Sequence, residues 1–192
     1  VAYHEGGHAL LGHLLPLADP VQKISIVSRG MAAGYTRSMP AEDRMFQSRP
    51  QILEKMGMAL GGRIAEEITF GEITTGASND LEQATGIART MVTRYGMSKE
   101  LGPRPFGKRE ELVFLGREIS EQRDYSDSVA ETIDQEVHGL LDTAYERAKD
   151  IIATNKDKLA RLAKYLIDNE TAERDDLLRL FSPTAPEPAP AD

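Results

Sequence analysis

Two hydrophobic periods alternate along this chain and divide it into elements. VAYHEGGHALLGHLL (1–15) has apolar residues on a helical spacing, and Pro16 and Pro20 end it. VQKISIV (21–27) is β-branched and partly alternating, which predicts a strand. SRGMAAG then turns the chain, and YTRS (35–38) returns as a hairpin partner. Pro50 sits at a helix start, where its missing N–H costs nothing. From there Ile52, Leu53, Met56, Leu60, Ile64 and Ile68 recur at helical spacing until Gly71. After the turn-rich GEITTGASN, a further helix carries Leu81, Ala84, Ala88, Met91, Val92 and Tyr95 and is closed by Gly96.

Residues 97–124 contain Gly and Pro and read as a long loop, with one short strand at LVFL (112–115). Ser128 and Glu131 fit a capping box at the head of a long helix. Its apolar stripe runs through Val129, Ile133, Val137, Leu140, Leu141, Ala144, Ala148 and Ile151. Two more helices follow, near 156–168 and 172–181. SPTAPEPAPAD (182–192) holds four of the ten prolines and no large apolar residue, and so reads as a disordered tail. The expectation is one domain over 1–181, mainly α, with a small β-sheet or hairpin beside the first helix.

Composition narrows the chemistry. The chain of 192 residues has no cysteine, so disulfides and thiolate metal sites are excluded. Any metal must be held by His, Asp or Glu. The formal net charge of −8 disfavours nucleic acid as a partner, because such binders present a basic face. No apolar run approaches the roughly 20 residues that span a bilayer, so the chain itself reads as soluble. It begins with Val1, and site-like residues already appear at position 4, so the expectation is a piece of a longer protein.

Those residues are HEGGHALLGH (4–13). On a helix, His4 and His8 lie four residues apart on one face. Two neutral imidazoles there can hold one Zn²⁺, and Glu5 beside them can take a proton from water activated by the metal. The blander alternative is a helix with two structural histidines. Gly6 and Gly7 count against it, since each costs roughly 1 kcal/mol relative to Ala inside a helix. They make sense if a neighbouring backbone or a substrate must come close, or as clearance beside the metal.

A catalytic zinc usually takes three protein ligands. His13 is the tempting third, but the pattern H-E-x-x-H-x-x-G-x-x-H needs Gly at 11 and His at 14. This chain has Leu11 and Leu14 there. On a continuous helix His13 lies about 180° round the axis from His4. Glu146 with Asp150 has the spacing of a thermolysin-like pair, but so do many solvated helix faces. Glu66 and Glu67 end the second predicted helix. Asp80 stands in the first turn of the third, where the helix dipole alone favours an acid. Spacing does not choose among these carboxylates.

The segments YHEGGHAL, DPVQKISIVSRG, GGRIAEEITFG, TTGASNDLEQATGIARTMVTRYGMS, LGP, VFLGRE and IDQEV occur in that order. Together they resemble the peptidase domain of FtsH-type, ATP-dependent AAA zinc metalloproteases, from residue 1 to about 180. Gly6 departs from the family, which usually has another small residue there. The resemblance implies that Asp80 is the third zinc ligand and that Glu66 lies near the ligand histidines and orients one of them. It implies a zinc-dependent endopeptidase acting on unfolded or misassembled proteins, with one Zn²⁺ per chain and Glu5 as base. It implies a homo-hexameric parent anchored in a membrane, either the bacterial cell membrane with the peptidase facing the cytoplasm or an organellar equivalent. ATP would act only through an upstream ATPase domain, since no G-x-x-x-x-G-K-[ST] loop occurs here. It further implies that the VQKISIV strand offers an edge to an extended substrate. The competing expectation is a structural, hexamerising module that is inactive once separated from its motor. A different HExxH hydrolase, such as a peptide deformylase, is disfavoured by the ASND block.

Overall fold

The computed structural model describes residues 1–28, 33–39, 46–107 and 123–182. Among the described residues, six α-helices and a three-stranded sheet follow in the order α1 (Ala2–Leu14), β1 (Val21–Ser25), β2 (Tyr35–Ser38), α2 (Arg49–Phe70), α3 (Ser78–Thr93), α4 (Asp127–Thr154), α5 (Lys156–Asn169), β3 (Thr171–Glu173) and α6 (Arg174–Phe181). The mainly helical expectation holds, and the sheet lies against α1. LVFL lies outside the described residues, as does all of the Pro-rich tail except Ser182.

The central packing is α1 on α2, and two glycines make it close. A Cβ on Gly7 would fall 2.2 Å from the Gly61 carbonyl oxygen, so the two backbones meet almost directly. A Cβ on Gly6 would instead meet the Leu159 side chain of α5 at 3.1 Å. The glycines of HEGGH therefore serve helix packing rather than clearance beside a metal. Gly7 makes room for a neighbouring backbone, and Gly6 for a neighbouring side chain.

The apolar stripes point where their period requires. Ile52, Met56, Leu60 and Ile64 of α2 are buried, as are Ala84, Ala88, Met91 and Val92 of α3. At the ends of the α3 stripe, Leu81 and Tyr95 are exposed. Gly71 ends α2 in the left-handed region, at φ 70°, where glycine is strain-free. On α4, Ile152 is fully buried and Ile151 only partly, one residue off the expected stripe.

Three local readings change. The cap of α4 is Ser126, whose hydroxyl accepts the Val129 N–H, and not Ser128. Ser128 lies inside the first turn, where its carbonyl accepts the Thr132 hydroxyl. Residues 171–173 form β3, which pairs antiparallel with β1 through Lys23↔Glu173, Ile24↔Ala172 and Ser25↔Thr171. The strand order is β2-β1-β3, so β1 is paired on both sides and offers no free edge. Among the described residues β2 is the edge strand whose side chains line the site.

Candidate metal centre

Four elements converge on one cleft of about 680 Å³. α1 brings His4, Glu5 and His8 from a single face. α2 runs beneath and supplies Glu66 from its last turns. A short 3₁₀ turn (Thr75–Ala77) leads into α3, whose first turn places Asp80. β2 closes the remaining side with Tyr35, Thr36 and Ser38.

The donor atoms form a near-equilateral triangle. His4 Nε2 lies 3.1 Å from Asp80 Oδ2, His8 Nε2 lies 3.3 Å from the same oxygen, and the two Nε2 atoms are 3.3 Å apart. A tetrahedral metal with ligand bonds of about 2.0–2.1 Å sets its ligands about 3.3–3.4 Å apart. The triangle has that size.

The ring protons explain why the triangle needs a cation. His8 Nδ1 lies 2.8 Å from the Met58 carbonyl, which can only accept, so Nδ1 carries the hydrogen. His4 Nδ1 lies 3.0 Å from Glu66 Oε1 and donates to it. In the neutral rings both Nε2 atoms then present lone pairs to the Asp80 carboxylate. Three lone pairs in one small space repel unless a proton or a metal ion stands among them. Two neutral imidazoles and one carboxylate, with a further side open to the cleft, are the donor set and the access that zinc takes at a catalytic site.

The charge balance agrees. Burial alone would lower the His4 pKa, but hydrogen bonding and charge from Asp80, then Glu66 and Glu5, outweigh it and raise the value above 6.5. Burial likewise opposes ionisation of Asp80, yet the two imidazoles hold its carboxyl well below the usual range. The site thus favours an ionised carboxylate beside a positive charge.

Around the triangle the polar groups are buried but satisfied. Glu66, only 7% exposed, accepts from the Thr74 backbone N–H at 3.2 Å and the Thr74 hydroxyl at 3.1 Å, besides His4. One carboxylate thereby fastens His4 to the loop that delivers Asp80. Glu5, also 7% exposed, accepts from the Thr36 hydroxyl at 2.7 Å.

The other candidates lie elsewhere. His13 is exposed, and its ring packs on Phe181 of α6 with centroids 4.6 Å apart. Glu146 and Asp150 lie exposed on α4. Glu67 binds Lys149 at 2.8 Å and accepts from the Tyr145 hydroxyl. Among the described residues, His4, His8 and Asp80 are the one group of three or more His, Asp or Glu close enough to share a metal.

Sequence reasoning missed several participants. A Cβ on Gly62 would stand 2.5 Å from the His4 ring, so this glycine provides the clearance that Gly6 and Gly7 do not. The costly Gly61–Gly62 pair inside a helical stretch was a usable signal. Thr36, Thr74 and the Met58 carbonyl carried none, because their roles depend on tertiary placement.

Comparison with known proteins gives the same picture. Residues 1–180 match the model of Peptidase family M41. The chain is 56% identical over 187 residues to the ATP-dependent zinc metalloprotease FtsH 1 of Sphaerobacter thermophilus, covering 97% of this chain and 29% of that protein. It is 53% identical over 187 residues to FtsH 1 of Thermomicrobium roseum, with the same coverage of each. With FtsH of Bacillus subtilis the identity is 50% over 182 residues, 94% of this chain and 29% of that protein. The chain spans less than a third of the length of these relatives. It belongs to peptidase family M41, as a metallopeptidase domain of the FtsH type.

Proposed function

We propose that this chain hydrolyses peptide bonds at one zinc ion held by His4, His8 and Asp80, with Glu5 as general base. The observation that carries this reading is the convergence of three lone-pair donors in a cleft that also receives the Glu5 carboxylate. Zinc held there supplies Lewis acidity, which lowers the pKa of water and polarises a peptide carbonyl. The protein does the rest. Glu66 and the Met58 carbonyl fix the tautomers, so both Nε2 atoms face the metal position. Glu5 accepts a proton from the attacking water and delivers it to the leaving amine nitrogen. An extended polypeptide would lie along the outer edge of β2, since β1 is paired on both sides.

The wider reading concerns a longer protein. The relatives are named ATP-dependent, and this chain covers less than a third of them. In this reading an upstream ATPase unfolds protein substrates and feeds them to the zinc centre. The parent is a membrane-anchored homo-hexamer, and residues 1–181 form its peptidase domain. Among the described residues no helix is long and apolar enough to cross a membrane, so an anchor would lie in another part of the parent. The −8 charge keeps nucleic acid outside the reading.

Glu5→Gln tests the mechanism. Proteolysis of an unfolded protein such as casein should fall by about 10²–10⁴-fold, the worth of a general base, with zinc retained. Cleavage by the variant at the wild-type rate would refute Glu5 as base. A zinc-loaded wild-type chain that cleaves nothing would favour a structural, hexamerising module instead.

A further inference from the structure

We propose that Thr36 is the positioning residue for Glu5. The inference rests on the reading of Glu5 as base and adds the residue that aims it. α1 fixes the Glu5 backbone, but a glutamate carboxylate swings on three rotatable bonds. A general base acts only within hydrogen-bond reach of the proton it takes.

Among the described residues, the Glu5 carboxylate has one hydrogen-bond partner, the Thr36 hydroxyl, at 2.7 Å from Oε2. The same hydroxyl lies 3.2 Å from the Glu5 backbone carbonyl, so it sits at the root of the side chain as well as at its tip. Thr36 itself is held firmly. It is paired in register with Ile24 of the central strand, and Ile24 is completely buried. A β-branched side chain on a paired strand has little χ1 freedom, so the strand sets the direction of the hydroxyl. Gly34 serves the other oxygen. A Cβ there would come within 3.0 Å of Glu5 Oε1 and 2.8 Å of the Ser25 carbonyl, so glycine leaves Oε1 the room it needs. β2 thus grips one oxygen of the base through Thr36 and makes room for the other at Gly34.

The test is steady-state cleavage of an unfolded protein by the intact, zinc-loaded protein. Thr36→Val keeps the shape and the strand but removes the donor. It should lower kcat by about 10–100-fold, the usual cost of losing a group that orients a catalytic side chain. KM and zinc content should stay unchanged. Thr36→Ser restores the hydroxyl and should recover most of kcat. Thr36→Ala, which cannot overpack, should lose kcat as Val does and guards against a folding defect peculiar to Val. The proposal is overturned if Val and Ala variants turn over at the wild-type rate. It is also overturned if Ser is as impaired as Val, or if the loss appears in KM or zinc content. A wild-type rate in Glu5→Gln would remove the base role itself. Full loss in Glu5→Gln with none in Thr36→Val would remove only Thr36.

Discussion

Two neighbouring regions of this molecule bury different things. Around α1, α2 and the head of α3 the interior holds Glu5, His8 and Glu66, each exposed by less than a tenth. Across α4 and α5 the interior is Ile133, Ile152, Leu159, Leu162 and Leu166, and the ionisable groups stay on the surface. There they form loose pairs one helical turn apart, Arg161 with Asp157 at 3.7 Å and Lys164 with Asp168 at 3.5 Å. Burying polar groups costs free energy unless each is hydrogen-bonded, and a half-satisfied network is worse than an apolar core. The site region also holds fully buried Leu10, Leu11, Met56, Ile64 and Met91, so its polar groups are set in an apolar frame that runs on into α4 and α5.

That division predicts separable losses. Ile152→Ala removes a fully buried side chain and should destabilise the chain by about 2–5 kcal/mol. Chemical denaturation should register that cost, while zinc affinity of the folded protein stays at the wild-type value. Glu66→Ala should do the converse. It frees the His4 ring and the Thr74 loop, so zinc affinity should fall by about 10–100-fold in a competition titration. Equal zinc affinity in wild type and Glu66→Ala would show that the loop and ring are held without it. Lys164→Ala breaks only an exposed pair, and its melting shift should correspond to less than about 0.5 kcal/mol. If Ile152→Ala released zinc as readily as Glu66→Ala did, the two regions would not be separable.

The same contrast explains what the sequence made legible. Features written at short range were readable: the helical stripes of α2 and α4, the β1–β2 hairpin, and His4 and His8 four residues apart. Helical geometry also removed His13, which the structure places against Phe181. Features that exist only after distant segments meet were not readable. β3 is three residues long, too short to show a period, and is a strand because Ile24 lies across from Ala172. Asp80 was one of several equivalent carboxylates until the family resemblance selected it. Thr36 lies 31 residues from Glu5, and nothing in YTRS announces that contact. Gly6 and Gly7 were visible as costly, but their purpose required knowing that Gly61 lies opposite. The α4 cap was misjudged by two residues because Ser126 and Ser128 are equally good caps in isolation.

In the proposed mechanism Asp80 completes the site begun by His4 and His8. Metal content measured on purified wild type and Asp80→Ala, after equilibration with limiting zinc, tests it directly. Wild type should hold one zinc per chain and the variant a substoichiometric remnant, with the circular dichroism of the fold retained. One zinc per chain in both proteins, bound with equal affinity, would contradict it and move the third ligand to another carboxylate.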